Sequence, residues 1–138
     1  MSDVLIVDDD VEAREAMRRY LEKAGHEVEC VSNGRQAIVA LGKRTPDVVV
    51  LDHMMPEMNG IGFLEVVRCY LRWSDLPVIL VTAYPDGPHI KRAKELGVVK
   101  IFPKAYYDLS ELANYVEAVV RPLIDPANPQ PPTPGDVP

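Results

Sequence analysis

The chain has 138 residues, 47% of them hydrophobic and 26% charged, with a formal net charge of −6. That profile fits one globular domain with a real core. Its acidity excludes a general binder of nucleic acid or membrane surfaces, both of which need a basic face.

Met1-Ser2-Asp3 precedes only four apolar residues, which suits neither a signal peptide nor a membrane span, so a cytoplasmic location is expected. Cys30 and Cys69 lie far apart inside apolar patterns and read as buried, reduced thiols rather than a disulfide or zinc site.

Val4–Val7 is a β-branched run that stops at Asp8-Asp9-Asp10, as a strand buried on both faces does at a polar rim. From Val11 to Ala24 the apolar residues recur every three or four, predicting an amphipathic helix capped by Asp10 and stopped by Gly25. His26–Val31 alternates in polarity, so it reads as a strand with one wetter face. Asn33-Gly34 opens a helix over Arg35–Lys43, and Thr45-Pro46 closes the connection.

Val48–Leu51 is the third strand, followed by a loop from Asp52 to Gly60 that Pro56 and Gly60 keep from continuing as strand. Ile61, Phe63, Leu64, Val67 and Leu71 form the next helical stripe, ending near Trp73-Ser74-Asp75. Leu76–Val81 is the fourth strand, ending at Thr82-Ala83. Pro88 suits the first position of a short helix with Ile90, Ala93 and Leu96 inward and Gly97 as its stop. Val99–Phe102 is the fifth strand, ending at Pro103-Lys104, and Asp108 or Ser110 caps a final helix.

Strand and helix thus alternate five times, which predicts an α/β fold with a parallel sheet. Strands one, three and four are apolar throughout and belong at the centre, giving the flavodoxin-like, doubly wound (βα)5 order 2-1-3-4-5. The folded domain is expected over residues 1–121. The prolines of 122–138 preclude regular structure and predict a disordered or polyproline-like tail.

In such a sheet the residues just past each strand's carboxyl end share one rim. Asp8, Asp9, Asp10, Asp52, Thr82 and Lys104 all fall there. Clustered carboxylates repel unless a cation neutralises them, and oxygen-only ligands favour Mg²⁺. A carboxylate held by such an ion and an ammonium is a workable nucleophile toward phosphorus. The pattern points to an aspartyl phosphate.

Leu5-Ile6-Val7-Asp8-Asp9-Asp10, the Asp52-x-x-Met55-Pro56-x-Met58-x-Gly60 loop, Thr82-Ala83 and Lys104, in that order, resemble the receiver domain of two-component response regulators over residues 3 to about 120. The resemblance implies that Asp52 accepts a phosphoryl group from a histidine kinase or phosphotransfer protein. It implies that Asp8 and Asp9 hold Mg²⁺ with Asp52 and the backbone carbonyl of Met54. Thr82 then hydrogen-bonds the phosphoryl oxygens and Lys104 pairs with them. Two positions depart from the pattern: Ala105 stands where a proline with a cis bond usually follows the lysine, and Ile101 occupies the strand-five aromatic position. A trans bond is expected before Ala105.

His53, next to the acceptor, is expected to face a partner or solvent, since strand neighbours point to opposite faces. His26 and His89 read as isolated and solvent-facing. Met54, Met55 and Met58 read as loop packing, and Lys91, Arg92 and Lys94 as a basic turn.

The expectation is a single-domain response regulator, not an enzyme acting on an external substrate. Its outlet is protein contact around the fourth helix, fifth strand and fifth helix, with a homodimer as one form. Two alternatives stand beside it: a receiver-shaped adaptor indifferent to phosphate, and a haloacid-dehalogenase-type phosphohydrolase, whose second motif aspartate is here Met54. A flavin carrier fits least, because three acids would repel its phosphate.

Overall fold

The structure, a computed structural model, describes residues 2–55, 58–105 and 107–120. Its strands are β1 (Asp3–Val7), β2 (Glu27–Val31), β3 (Val48–Asp52), β4 (Val78–Thr82) and β5 (Lys100–Pro103). They form one parallel sheet in the order β2-β1-β3-β4-β5. The helices are α1 (Val11–Lys23), α2 (Gly34–Lys43), α3 (Gly60–Arg68), α4 (His89–Glu95) and α5 (Leu109–Val120), with a 3-10 turn at Leu71–Trp73. The expected class and strand order are both present. β3 and β4 are buried throughout, whereas β2 and β5 are mixed edges. The proline-rich tail expected at 122–138, and Pro56, lie outside the described residues.

Side chains alternate across a strand, and that alternation sorts the core into two layers. Leu5, Val7, Val49, Leu51, Val78 and Leu80 point toward α2, α3 and α4, meeting Leu41, Phe63, Leu64, Val67 and Ala93. Val4, Ile6, Val48, Val50, Ile79 and Val81 point the other way, toward Met17 and Leu21 of α1 and Leu112 and Val116 of α5. The parity of each strand residue therefore decides which helices it meets.

The helix starts follow the local chemistry. Asp10 Oδ1 accepts the N–H groups of Glu12 at 3.0 Å and Ala13 at 3.4 Å. Asn33 and Asn59 cap α2 and α3 in the same way. At α5 the cap is Asp108, which accepts from the Ser110 and Glu111 N–H groups, while Glu111 Oε1 accepts from the Asp108 N–H at 3.2 Å. That reciprocal pair is a capping box. Gly25 and Gly97 sit at φ 99° and 78°, the left-handed conformation that ends α1 and α4. Pro88 is the cap of α4, not its first residue.

Three expectations are corrected here. Leu71 does not extend the α3 stripe: the helix ends at Arg68 and Leu71 is 91% exposed. His26 is buried, not solvent-facing, with Nδ1 2.6 Å from Ser2 Oγ and Nε2 3.1 Å from Glu117 Oε2. The chain entry into β1 and the α5 side chain enclose it. Cys69, at the α3 C-cap, is exposed, while Cys30 is half-buried; both thiols are free.

Arg68, the last residue of α3, ties the helix exit to its neighbours. Its guanidinium donates to the carbonyls of Leu96 at 2.7 Å, Trp73 at 2.9 Å and Leu76 at 2.8 Å. It also reaches Gly97 O at 3.4 Å. One planar fork thus ties the α3 exit, the lead into β4 and the end of α4. Arg68→Ala leaves those carbonyls short of donors and is expected to destabilise the chain by about 2 kcal/mol. Arg68→Lys, a single point donor, is expected to recover less than half of that loss in denaturant unfolding.

Candidate functional site

The ladder continues one residue past the apolar strands, and this aims the rim. Asp8 N–H donates to Val31 O at 3.1 Å, His53 N–H to Val81 O at 3.1 Å and Lys104 N–H to Thr82 O at 2.7 Å. Strand parity therefore still holds at these positions. Asp8, Asp52 and Lys104 share the side of Ile6, Val50 and Phe102, over α1 and α5. Thr82 and His53 share the side of Leu80 and Leu51, over α3 and α4.

On the first side the charges converge. Lys104 Nζ lies 3.3 Å from Asp52 Oδ2, 3.4 Å from Asp8 Oδ2 and 3.5 Å from Asp8 Oδ1. One oxygen each of Asp8, Asp9 and Asp52 all lie within 4.8 Å of one another. Asp8 and Asp52 are buried and Asp9 is exposed. Burial first, then the Asp8 charge, pushes the Asp52 carboxyl from 3.8 up to about 7, against the pull of Lys104. Burial likewise raises Asp8. Burial alone would lower the Lys104 ammonium, but Asp8 and Asp52 outweigh it and the net shift is upward.

A model of the response regulator receiver domain matches residues 4–117. The chain belongs to that family. It is 36% identical over 128 residues to a transcriptional regulatory protein CpxR homolog of Haemophilus influenzae, covering 93% of this chain and 54% of that one. It is 34% identical to the DNA-binding transcriptional regulator NtrC of Salmonella typhimurium, covering 85% of this chain and 24% of that protein. The chain spans about half the length of the first curated relatives it matches. Among solved structures, the signal receiver domain of a signal transduction histidine kinase from Syntrophus aciditrophicus superposes with a TM-score of 0.82 at 28% identity, covering 94% and 98% of the two chains. The Vibrio cholerae chemotaxis protein CheY4 gives 0.80 at 28%, covering 86% and 98%.

Family membership sets aside the phosphohydrolase and flavin-carrier alternatives. In this receiver domain the predicted residues Asp8, Asp9, Asp52 and Lys104 come together, and no described peptide bond is cis, so Ala105 follows Lys104 in trans. Lys104 reaches both carboxylates without a following proline, because its own ladder bond to Thr82 aims it. The donor set fits a hard divalent cation: Oδ2 of Asp8 and of Asp52 are buried with no hydrogen bond among the described residues. The longer ionic contacts to Lys104 only partly compensate them. Met55 and Met58 pack on the core as expected, but the Met54 side chain is 55% exposed. Ile101 packs against the α3/α4 layer, and Phe102 takes the opposite side with Tyr107 and Tyr115.

The Thr82 hydroxyl makes its contacts on the α3/α4 side. Its Oγ1 accepts the Tyr84 N–H at 3.1 Å and lies 3.0 Å from His89 Nε2. The His89 ring stacks on His53, centroids 3.9 Å apart and planes 2° apart. Both histidines therefore differ from expectation. His53 does point to the face opposite Asp52, as alternation requires, but that face is roofed by Gly60 and His89, leaving it 8% exposed. His89 has partners on both sides. No sequence spacing announces either contact, since each joins residues from different elements.

The Gly60 N–H donates to His53 O at 2.8 Å, and a Cβ at Gly60 would fall 2.9 Å from His53 Cα. The chain returns this close to the end of β3 only without a side chain at Gly60.

The Asp52 shift fixes the sign of a pH effect. An unfolded chain loses this proton near 4 and the folded chain keeps it to about 7, so the folded state binds more protons across that window. Stability of the metal-free protein is therefore expected to fall as pH rises through it. Above about pH 7, Asp52→Asn is expected to stabilise the metal-free chain by about 2 kcal/mol. Thermal melts across the range test this, and excess Mg²⁺ is expected to raise the melting temperature of the parent more than that of the variant.

Proposed function

We propose that this receiver domain is phosphorylated on Asp52 in a Mg²⁺-dependent reaction by a sensor histidine kinase or histidine phosphotransfer protein, and passes the signal on by protein contact. The observation that carries the reading is the convergence of Lys104 Nζ on Asp8 and Asp52 at 3.3 to 3.4 Å beside a third carboxylate.

A carboxylate oxygen of Asp52 attacks the phosphorus of a phosphohistidine; the P–N bond breaks and the imidazole leaves with the electron pair, taking up a proton. Asp52 must enter this step ionised, and Lys104 favours that state. The Lys104 ammonium then pairs with the phosphoryl oxygens, and the Thr82 hydroxyl donates to one of them. Mg²⁺, when bound, adds positive charge that relieves the repulsion between carboxylates and phosphoryl group. Asp8, Asp9 and Asp52 would hold it, with the Met54 carbonyl as the remaining protein ligand.

The chain thus takes part in its own phosphorylation and dephosphorylation and turns over no separate substrate. We place it in the cytoplasm, where such kinases keep their phosphohistidine; no helix among the described residues is long and apolar enough to cross a membrane. The downstream partner is taken to dock around α4, β5 and α5. There Arg92 is tied to Glu65 at 3.1 Å and Glu95 at 3.3 Å, whereas no ion pair engages Lys91 or Lys94 among the described residues. A homodimer through the same face is a second form of output.

The rival reading, an adaptor indifferent to phosphate, draws on Ile101 and Ala105. The reach of Lys104 to Asp52 counts against it. Incubation with Mg²⁺ and acetyl phosphate is expected to add one phosphoryl group, lost in Asp52→Asn and reduced at least tenfold in rate in Lys104→Ala. Intact-protein mass spectrometry reads the result. Stoichiometric labelling of Asp52→Asn would overturn the assignment.

A further inference from the structure

The contact between Thr82 and His89 extends the reading above and rests on it for its consequence. A threonine hydroxyl has one proton to give and two lone pairs. Thr82 Oγ1 already accepts from the Tyr84 N–H, and the residue is fully buried. Were His89 Nε2 also a donor, the oxygen would accept twice, and its own proton would be left without an acceptor among the described residues. A buried unmade hydrogen bond is costly. The proton therefore goes to His89, whose Nε2 is the bare nitrogen and whose Nδ1 carries the hydrogen.

Two further observations show that the ring is built into place. It lies parallel to His53 at 3.9 Å, and a Cβ on Gly87 would fall 2.7 Å from its Cε1 and 2.8 Å from its Nδ1. Gly87 leaves the space that the imidazole fills, and Gly87 N–H is itself bonded to Tyr84 O at 2.9 Å. The β4–α4 connection thus folds around one histidine.

We propose that His89 is a positioning residue for Thr82: in the unphosphorylated chain its Nε2 takes the only hydroxyl proton, so Thr82 can bond a phosphoryl oxygen only by releasing His89. Phosphorylation of Asp52 then frees the first residue of α4 from β4 and loosens its stack on His53. The same hydrogen bond opposes the phosphorylated state, because it must be broken on the way.

Imidazole nitrogen NMR of the metal-free protein tests the first half. His89 is expected as the Nδ1–H tautomer, with an Nε2 resonance that moves in Thr82→Val while that of His26 stays. A proton on Nε2 would overturn the proposal. Beryllofluoride binding in Mg²⁺ tests the second half. His89→Phe keeps an aromatic ring on His53 but offers no acceptor, so it is expected to bind beryllofluoride about fivefold more tightly than the parent. His89→Gln, which restores an acceptor, is expected to return toward parent affinity. In a Thr82→Val background His89→Phe is expected to have no effect.

Unchanged or weaker binding by folded His89→Phe overturns the proposal. Should that variant fail to fold, Gly87→Ala, which expels the ring, is expected to give the same gain, and its absence counts equally against. A parent that neither labels on Asp52 nor binds beryllofluoride overturns the phosphorylation reading instead, and the NMR result still decides the Thr82–His89 bond.

Discussion

Two buried carboxylates sharing one ammonium set the terms for the rest of this molecule. Asp8 and Asp52 each reach Lys104 at 3.3 to 3.4 Å, yet the arrangement remains one positive charge against two negative ones, with Asp9 adding a third. Removing such groups from water costs several kcal/mol per ion, and the ion pair alone does not offset it. The direction of the Asp52 and Asp8 shifts records the same deficit. A cluster of this kind persists only on a scaffold whose stability comes from elsewhere. Here it comes from β1, β3 and β4, whose apolar residues are almost wholly enclosed between the two helix layers. The site is thus kept short of positive charge.

Most of this was legible because it depends on local rules. A continuous apolar run marks a strand covered on both faces, and β1, β3 and β4 lie at the sheet centre accordingly. Alternation marks an edge, and β2 is one. Asp10, Asn33 and Asp108 announce helix starts because a short side-chain oxygen beside free N–H groups has one obvious use. The rim followed from parallelism alone. What was not legible depends on three-dimensional enclosure. His26, His53 and His89 carry no signature of burial, because an imidazole is equally at home in water or with a partner. Leu71 carried a misleading one: its spacing fits the α3 stripe, but the helix ends at Arg68, whose carbonyl partners come from beyond the helix.

Arg68 and His89 secure opposite ends of the same helix. Arg68 fastens the exit of α4 through Leu96 O and Gly97 O, and does so from α3, with no part in the charged site. His89 fastens its entry through Thr82, at the edge of that site. The two attachments differ in kind. A half-buried guanidinium spreads its donors over several carbonyls, whereas a threonine hydroxyl has one proton, which any second acceptor must contest. The fixed end and the contestable end of α4 are thus written into the chemistry of their donors.

Strand parity explains why the contest reaches α4 at all. Asp52 and Lys104 lie over α1 and α5, while Thr82 and His53 lie over α3 and α4, and the strands of the sheet separate the two sides. A change of charge on the first side acts directly on the second only through a group that bonds to both. Thr82 is the residue placed to be that group: it ends β4, beside the strand that ends in Asp52, and its hydroxyl can turn about one bond. Ile101 offers no hydroxyl or ring edge to complete such a movement from β5. The partner for it in this chain comes instead from the first turn of α4, where His89 meets both the threonine and His53, the residue after Asp52.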